Sequence, residues 1–198
     1  ALAAEPSGEA VRAWGRLGYP RRALRLHAAA VAIVADHGGE VPRDRDTLLS
    51  LPGVGDYTAS AVVSFAFGGR AVVLDTNVRR FFARAVTGQQ FPAPSVTADE
   101  RALAAAWLPA DHADVWAAAT MELGAVVCTA RAPRCGDCPI SDVCAWRAAG
   151  YPESEGPVRQ SQKWHGTDRQ CRGRLLAVVR EAPGSVPKAA MDLAWPEP

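Results

Sequence analysis

Four of the chain's five cysteines fall in one stretch, VCTARAPRCGDCPISDVC, as Cys128, Cys135, Cys138 and Cys144, with the spacing C-x6-C-x2-C-x5-C. Thiols so close in sequence can form two disulfides or hold a metal, and no secretory feature accompanies them, which argues against disulfides. Zinc sites made of four cysteines usually show two C-x2-C knuckles. Here there is one, with outer ligands at unequal distances, a pattern that suits thiolates wrapped round an iron–sulfur cubane. Spacing by itself leaves both iron–sulfur and zinc open. Cys171, the fifth cysteine, reads as an ordinary small apolar residue.

A second constellation is LSLPGVGDYTAS, Leu49 to Ser60, where a proline and two glycines separate two apolar helical runs. The corner Leu51, Pro52, Gly53, Val54, Gly55, followed by Thr58 in the next helix, can turn successive backbone N–H groups outward at a helix mouth. Gly53 and Gly55 have no side chain to block an approaching phosphate, and the helix dipole favours its charge. That is the helix-hairpin-helix device for holding a nucleic-acid backbone without reading its sequence. The plain alternative is a tight turn in a helical bundle.

Further on comes VVLDTNVRR. Asp75 follows an apolar run and precedes a helix, so its simplest role is an N-cap. A carboxylate held there can also stabilise an oxocarbenium-like sugar while a glycosidic bond breaks, with Asn77 to orient it and Tyr57 to donate to it. Tyr57 also reads as half-buried packing.

The elements that must position these residues are nearly all helical. Helices are expected over Ala23–His37, ended by Gly38-Gly39, over Asp46–Leu51, over Tyr57–Phe67, and from about Thr76 to Thr87-Gly88. Arg70–Leu74 is β-branched but too isolated to make a sheet. Gln89–Ser95 is a proline-bearing loop, Thr97 and Glu100 are spaced as a capping box for a helix ending near Trp107, and another helix spans about Ala113–Val127. Gly156–Asp168 reads as a polar linker, with helices at Arg172–Glu181 and Val186–Trp195 opening a small helical or winged-helix-like module.

With 198 residues, 48% of them hydrophobic and 22% charged, the chain can bury a core. It has no apolar run of spanning length and no basic, apolar leader, so a soluble cytoplasmic monomer without a membrane partner is expected. The net charge of +1 gives no global case for a polyanionic partner. Arginine clusters do occur at Arg12–Arg25, at Arg79, Arg80 and Arg84, and from Arg159 to Arg180. Each could supply phosphate contacts or be a solvated helix face.

LPGVGDYTASAVVSFAFG, LDTNVRR and MELGAVVCTARAPRCGDCPISDVC, with WGRLGYPRRALRLHAAA ahead of them, resemble in order and spacing the endonuclease III superfamily of DNA glycosylases, and within it the MutY-type adenine DNA glycosylases. The resemblance covers roughly residues 1–150. It implies an all-α helix-hairpin-helix glycosylase fold: a helical barrel domain (1–74), a cluster domain ending in the [4Fe-4S] loop (75–150), and DNA held between them, with 151–198 as linker and tail module. It implies a [4Fe-4S] cluster on Cys128, Cys135, Cys138 and Cys144, and excision of adenine mispaired with 8-oxoguanine or guanine in double-stranded DNA. Bifunctional members carry a lysine where this chain has Tyr57, and its two lysines, Lys163 and Lys188, lie elsewhere. A phenol cannot form a Schiff base, so a monofunctional enzyme leaving an abasic site is expected, with Asp75, Asn77 and Tyr57 as its catalytic group. The family's catalytic glutamate lies in a segment expected ahead of Ala1, so the chain as given should bind DNA better than it cuts it. A DNA-binding module without catalysis, a glycosylase of other base specificity and a ferredoxin-like electron carrier are the alternatives.

Overall fold

The structure is a computed structural model describing residues 1–154 and 163–195, and every regular element among the described residues is helical. In chain order these are α1 (Ser7–Trp14), α2 (Arg21–Asp36), α3 (Arg45–Ser50), α4 (Asp56–Ala61), α5 (Thr76–Ala85), α6 (Ala98–Trp107), α7 (Ala113–Glu122), α8 (Ala145–Ala148), α9 (Asp168–Glu181) and α10 (Lys188–Ala194). The run Arg70–Leu74 joins no sheet, as its isolation requires. α1 was not among the helices expected from the sequence: its eight residues are amphipathic, but the run is short and carries Gly8 in its first turn.

Local chemistry sets most boundaries. After α2 the chain turns through Gly38 and Gly39, both with positive φ, and Gly39 N–H donates back to the Ile33 carbonyl at 3.0 Å. Asp44 caps α3 by accepting from Thr47 N–H at 2.8 Å. The capping box expected at Thr97 is half made: Thr97 accepts from Glu100 N–H at 3.1 Å, but the Glu100 carboxylate turns away to Arg79, 2.7 Å from its Nε. Two helices expected to be continuous widen into π-helical turns, α4 at Val62–Ala66 and α7 at Leu123–Val127.

By contact density the chain forms two compact units. One comprises residues 1–41 with tail residues 163–195. In it the Arg12 guanidinium, expected at a phosphate or in solvent, donates to the carbonyls of Arg180 (2.9 Å) and Ala182 (3.2 Å) at the end of α9. The other comprises residues 42–154 and contains the hairpin, Asp75 and the cysteine loop, so the division expected at 74/75 falls inside it. Most of the linker Gly156–Asp168 and Arg159 lie outside the described residues.

The core of the second unit is Leu74, Val78, Phe81, Phe82 and Ala104. Phe81 stands edge-on to Phe82 and to Trp116, with ring centroids 5.1 and 6.2 Å apart. This packing fixes the rotation of α5, and hence the direction of every functional side chain on it. Phe82→Ala should lower unfolding stability by about 3–5 kcal/mol in a denaturant titration, and a loss below about 1 kcal/mol would show the core to be elsewhere.

Candidate active site and cluster loop

The corner between α3 and α4 closes with Val54 N–H donating to the Leu51 carbonyl at 3.1 Å and Gly53 at φ +77°, a conformation that favours glycine. Gly55 is different. Its φ of −100° suits any residue, and a Cβ built on it meets nothing within 4 Å. The fold therefore does not require glycine there, and what its missing side chain leaves open is the outer surface at the start of α4. No side chain caps that helix start. Asp56, its first residue, is ion-paired to both Arg45 of α3 and Arg101 of α6. Leu51 is buried, Pro52, Gly53 and Gly55 are exposed, and Val54 is half-buried.

Asp75 is the N-cap of α5 and is partly buried. Its Oδ1 accepts from Asn77 N–H (2.9 Å) and Val78 N–H (2.7 Å), and its Oδ2 accepts from Asn77 Nδ2 (3.0 Å). Asn77 is held at its other end, where Oδ1 accepts from Arg80 Nη2 at 2.7 Å. Because a guanidinium can only donate, this bond fixes which way the Asn77 amide faces. Arg80 also donates to the Gly124 carbonyl and, through Nε, to the Cys128 carbonyl at 2.6 Å. Burial pushes the Arg80 guanidinium below its ordinary value; the charges of Cys128 and Asp75 push it back up, and that of Arg84 pushes it down. Asp75 and Asn77 are thus joined. Tyr57, 46% exposed, makes no hydrogen bond to either.

Sequence reading placed Arg79, Arg80 and Arg84 in solvent or at a phosphate. All three are buried, at 8%, 9% and 1% exposure, so both readings are corrected. The apolar pattern gave no signal of this: Val78, Phe81, Phe82 and Ala85 lie at i, i+3, i+4 and i+7 on one stripe of α5, which leaves the arginines a face that reads as wet until Glu100 and the segment at Cys128–Ala130 cover it. Gly124, also missed, sits where a Cβ would lie 2.6 Å from the Asn77 carbonyl oxygen, so only glycine allows the π-turn and α5 to approach so closely.

The four clustered cysteines and Cys171 are free thiols, which removes the disulfide alternative. Cys128, Cys135, Cys138 and Cys144 line one cavity that opens to solvent, and Phe81, Ile140 and Trp146 line it with them. Its rim is built from two single-turn helices, Cys135–Asp137 and Ser141–Val143. Among the described residues no three Cys, His, Asp or Glu side chains are gathered tightly enough for a single metal ion. Four sulfurs spread round a cavity fit a polynuclear cluster better than one zinc, whose sulfurs would each lie about 2.3 Å from a common centre. Burial and the neighbouring cysteine sulfurs push the Cys138 thiol up against a lowering hydrogen bond from the Ile140 backbone, so a metal taken up here must displace its proton.

Residues 36–65 match the helix-hairpin-helix motif family, and residues 128–144, beginning and ending on a cysteine, match the iron-sulfur binding domain of endonuclease III. An adenine DNA glycosylase of Mycobacterium tuberculosis is 54% identical over 196 residues, covering 98% of this chain. The chain spans 64% of that relative's length. A thermostable thymine-DNA glycosylase superimposes with a TM-score of 0.68 at 30% identity, covering 75% of this chain and 69% of the other. Endonuclease III in a non-covalent DNA complex does so at 0.64 and 27%, covering 75% and 69%. These neighbours share the all-helical architecture, and the cysteine loop is the binding region of a [4Fe-4S] cluster. On geometry, Gly124→Ala should destabilise the protein by about 1–3 kcal/mol, whereas Gly55→Ala should stay within about 1 kcal/mol. Thermal unfolding distinguishes them, and equal losses would contradict the contrast.

Proposed function

We propose that the chain, which belongs to the endonuclease III superfamily of DNA glycosylases and is 54% identical to an adenine DNA glycosylase along nearly its whole length, is a MutY-type adenine glycosylase that acts in base excision repair as a monofunctional enzyme. It hydrolyses the N-glycosidic bond of adenine mispaired with 8-oxoguanine or guanine in duplex DNA and leaves an abasic site, working as a monomer. The observation that carries this reading is the fixed carboxylate of Asp75. A carboxylate offers about four lone-pair sites, and three are taken by Asn77 N–H, Val78 N–H and the Asn77 amide. What remains is negative charge at a known place, held without freedom to reorganise, which is what an oxocarbenium-like sugar needs as its base departs.

The other residues have supporting roles. The backbone from Leu51 to Gly55, with Thr58, grips the phosphates of a duplex from which adenine has been flipped. Asn77 keeps the Asp75 oxygen aimed, and Tyr57, half exposed, contacts the extruded nucleotide or its sugar. As a phenol, Tyr57 cannot form an imine, so no strand cleavage through a covalent intermediate follows. Cys128, Cys135, Cys138 and Cys144 would hold the cluster, which when bound would supply a one-electron redox centre. The hairpin in 1–74 and the cluster loop in 75–150 remain the two working parts of this proposal, with 151–198 as an accessory.

Single-turnover excision on an adenine·8-oxoguanine duplex, by this chain and by a version extended upstream of Ala1, tests it. Asp75→Asn should slow adenine release at least about a hundredfold while leaving DNA binding within about threefold. Gly55→Asp should abolish binding in a gel shift. Binding with no adenine release by either version would select a non-catalytic module, and efficient borohydride trapping of a covalent adduct would refute the monofunctional mechanism.

A further inference from the structure

Of the three buried arginines on α5, Arg79 is paired with the Glu100 carboxylate and Arg80 joins Asn77 to the cysteine loop. Arg84 is the most buried of them, at 1% exposure, and among the described residues no carboxylate is in ion-pair contact with it. Its Nε donates to the Gln90 carbonyl (3.0 Å), its Nη1 to the Thr129 carbonyl (2.7 Å) and its Nη2 to the Ala130 carbonyl (3.1 Å). Its faces lie against the rings of Trp146 and Phe91, 4.6 and 5.7 Å from their centroids. Carbonyls and aromatic rings satisfy the N–H groups but leave a whole positive charge uncompensated, and a buried charge without a counter-charge is strongly unfavourable. One further partner is in reach: Cys128 Sγ, 3.5 Å from Nη1.

We propose that Arg84 is the built-in counter-cation of the [4Fe-4S] cluster, bonded to the Cys128 sulfur, and that it raises the potential of the cluster's one-electron couple. Four thiolates outweigh the positive charge of the core, so the assembled site is anionic and supplies the charge that Arg84 otherwise lacks. The more reduced state carries one more negative charge and gains most from an adjacent cation and an N–H donor on its sulfur. A merely structural Arg84, stapling the loop through its carbonyls, would leave the potential alone. The inference rests on the cluster reading above.

The test uses the cluster-loaded protein. Its visible absorption with iron and sulfide content establishes the cluster, and their absence in the wild type would refute the cluster reading itself. Voltammetry of the loaded fraction of Arg84→Gln should then show the oxidised-to-reduced ratio at fixed potential shifted at least tenfold toward oxidised, about 59 mV for one electron. Arg84→Lys, which keeps the charge, should shift it by less than threefold. No shift in Arg84→Gln, or equal shifts in both, overturns the inference. A second measurement needs no Arg84 variant: pulsed EPR of protein labelled with 15N-arginine should show a nitrogen coupling to the paramagnetic cluster that survives Arg147→Gln, Arg147 being the other arginine that lines the cysteine cavity. Its absence overturns the inference equally.

Discussion

The Arg80 guanidinium ties the helix that begins at Asp75 to the segment that leads into Cys128. Its Nη2 donates to both Asn77 Oδ1 and the Gly124 carbonyl, and its Nε donates to the Cys128 carbonyl. Each bond constrains something different. The bond to Asn77 sets the amide that aims Asp75. The bonds to Gly124 and Cys128 fix where the π-turn of Leu123–Val127 lies against α5. Gly124 makes this possible because its backbone passes against Asn77 with no room for a Cβ. A carboxylate at the start of one helix and the first cysteine of a loop 53 positions later in the chain thus share one rigid support.

That support is built from charge where apolar residues would have been cheaper. Arg79, Arg80 and Arg84 are withdrawn from water on a helix whose remaining inner surface is aromatic and aliphatic, and each has a different solution. Arg79 has a carboxylate in Glu100, Arg80 a ring of oxygen acceptors, and Arg84 three carbonyls, two aromatic faces and a sulfur. Buried ionic groups seldom add stability relative to a packed hydrophobe, but they are selective about geometry, because any slip leaves a charge or an N–H unpaired. The exposed pairs of Asp56 with Arg45 and Arg101 are of the other kind, screened by solvent and weak.

Much of this was legible in the sequence because the strongest signals were local. Gly38-Gly39, Asp75 and Thr97 mark helix ends by backbone chemistry that acts within a few residues, and the elements fall within a few positions of where those residues put them. The hairpin corner and the cysteine loop were found the same way, from residues close in the chain. The features that were missed are long-range. Arg80 and Arg84 look like surface arginines until the loop carrying Cys128 is placed against them, and Gly124 looks like any helix-weakening glycine until Asn77 is seen under it. The π-turns were hidden too, since the apolar pattern that reads as helix does not change when the hydrogen bonds widen. α1 was missed because its amphipathic run is only eight residues long, and Arg12 gave no hint that it would serve the end of a helix 168 positions away.

The central claim is that Asp75, Asn77 and Arg80 act as one positioning unit. A double-mutant cycle measures this most directly: single-turnover adenine excision by the wild type, Asn77→Ala, Arg80→Met and the double variant, each loaded with its cluster. If Arg80 works through Asn77, the double variant should be no slower than the slower single variant, so that the effects fail to add by roughly 1 kcal/mol or more. Effects that multiply as independent losses would contradict it.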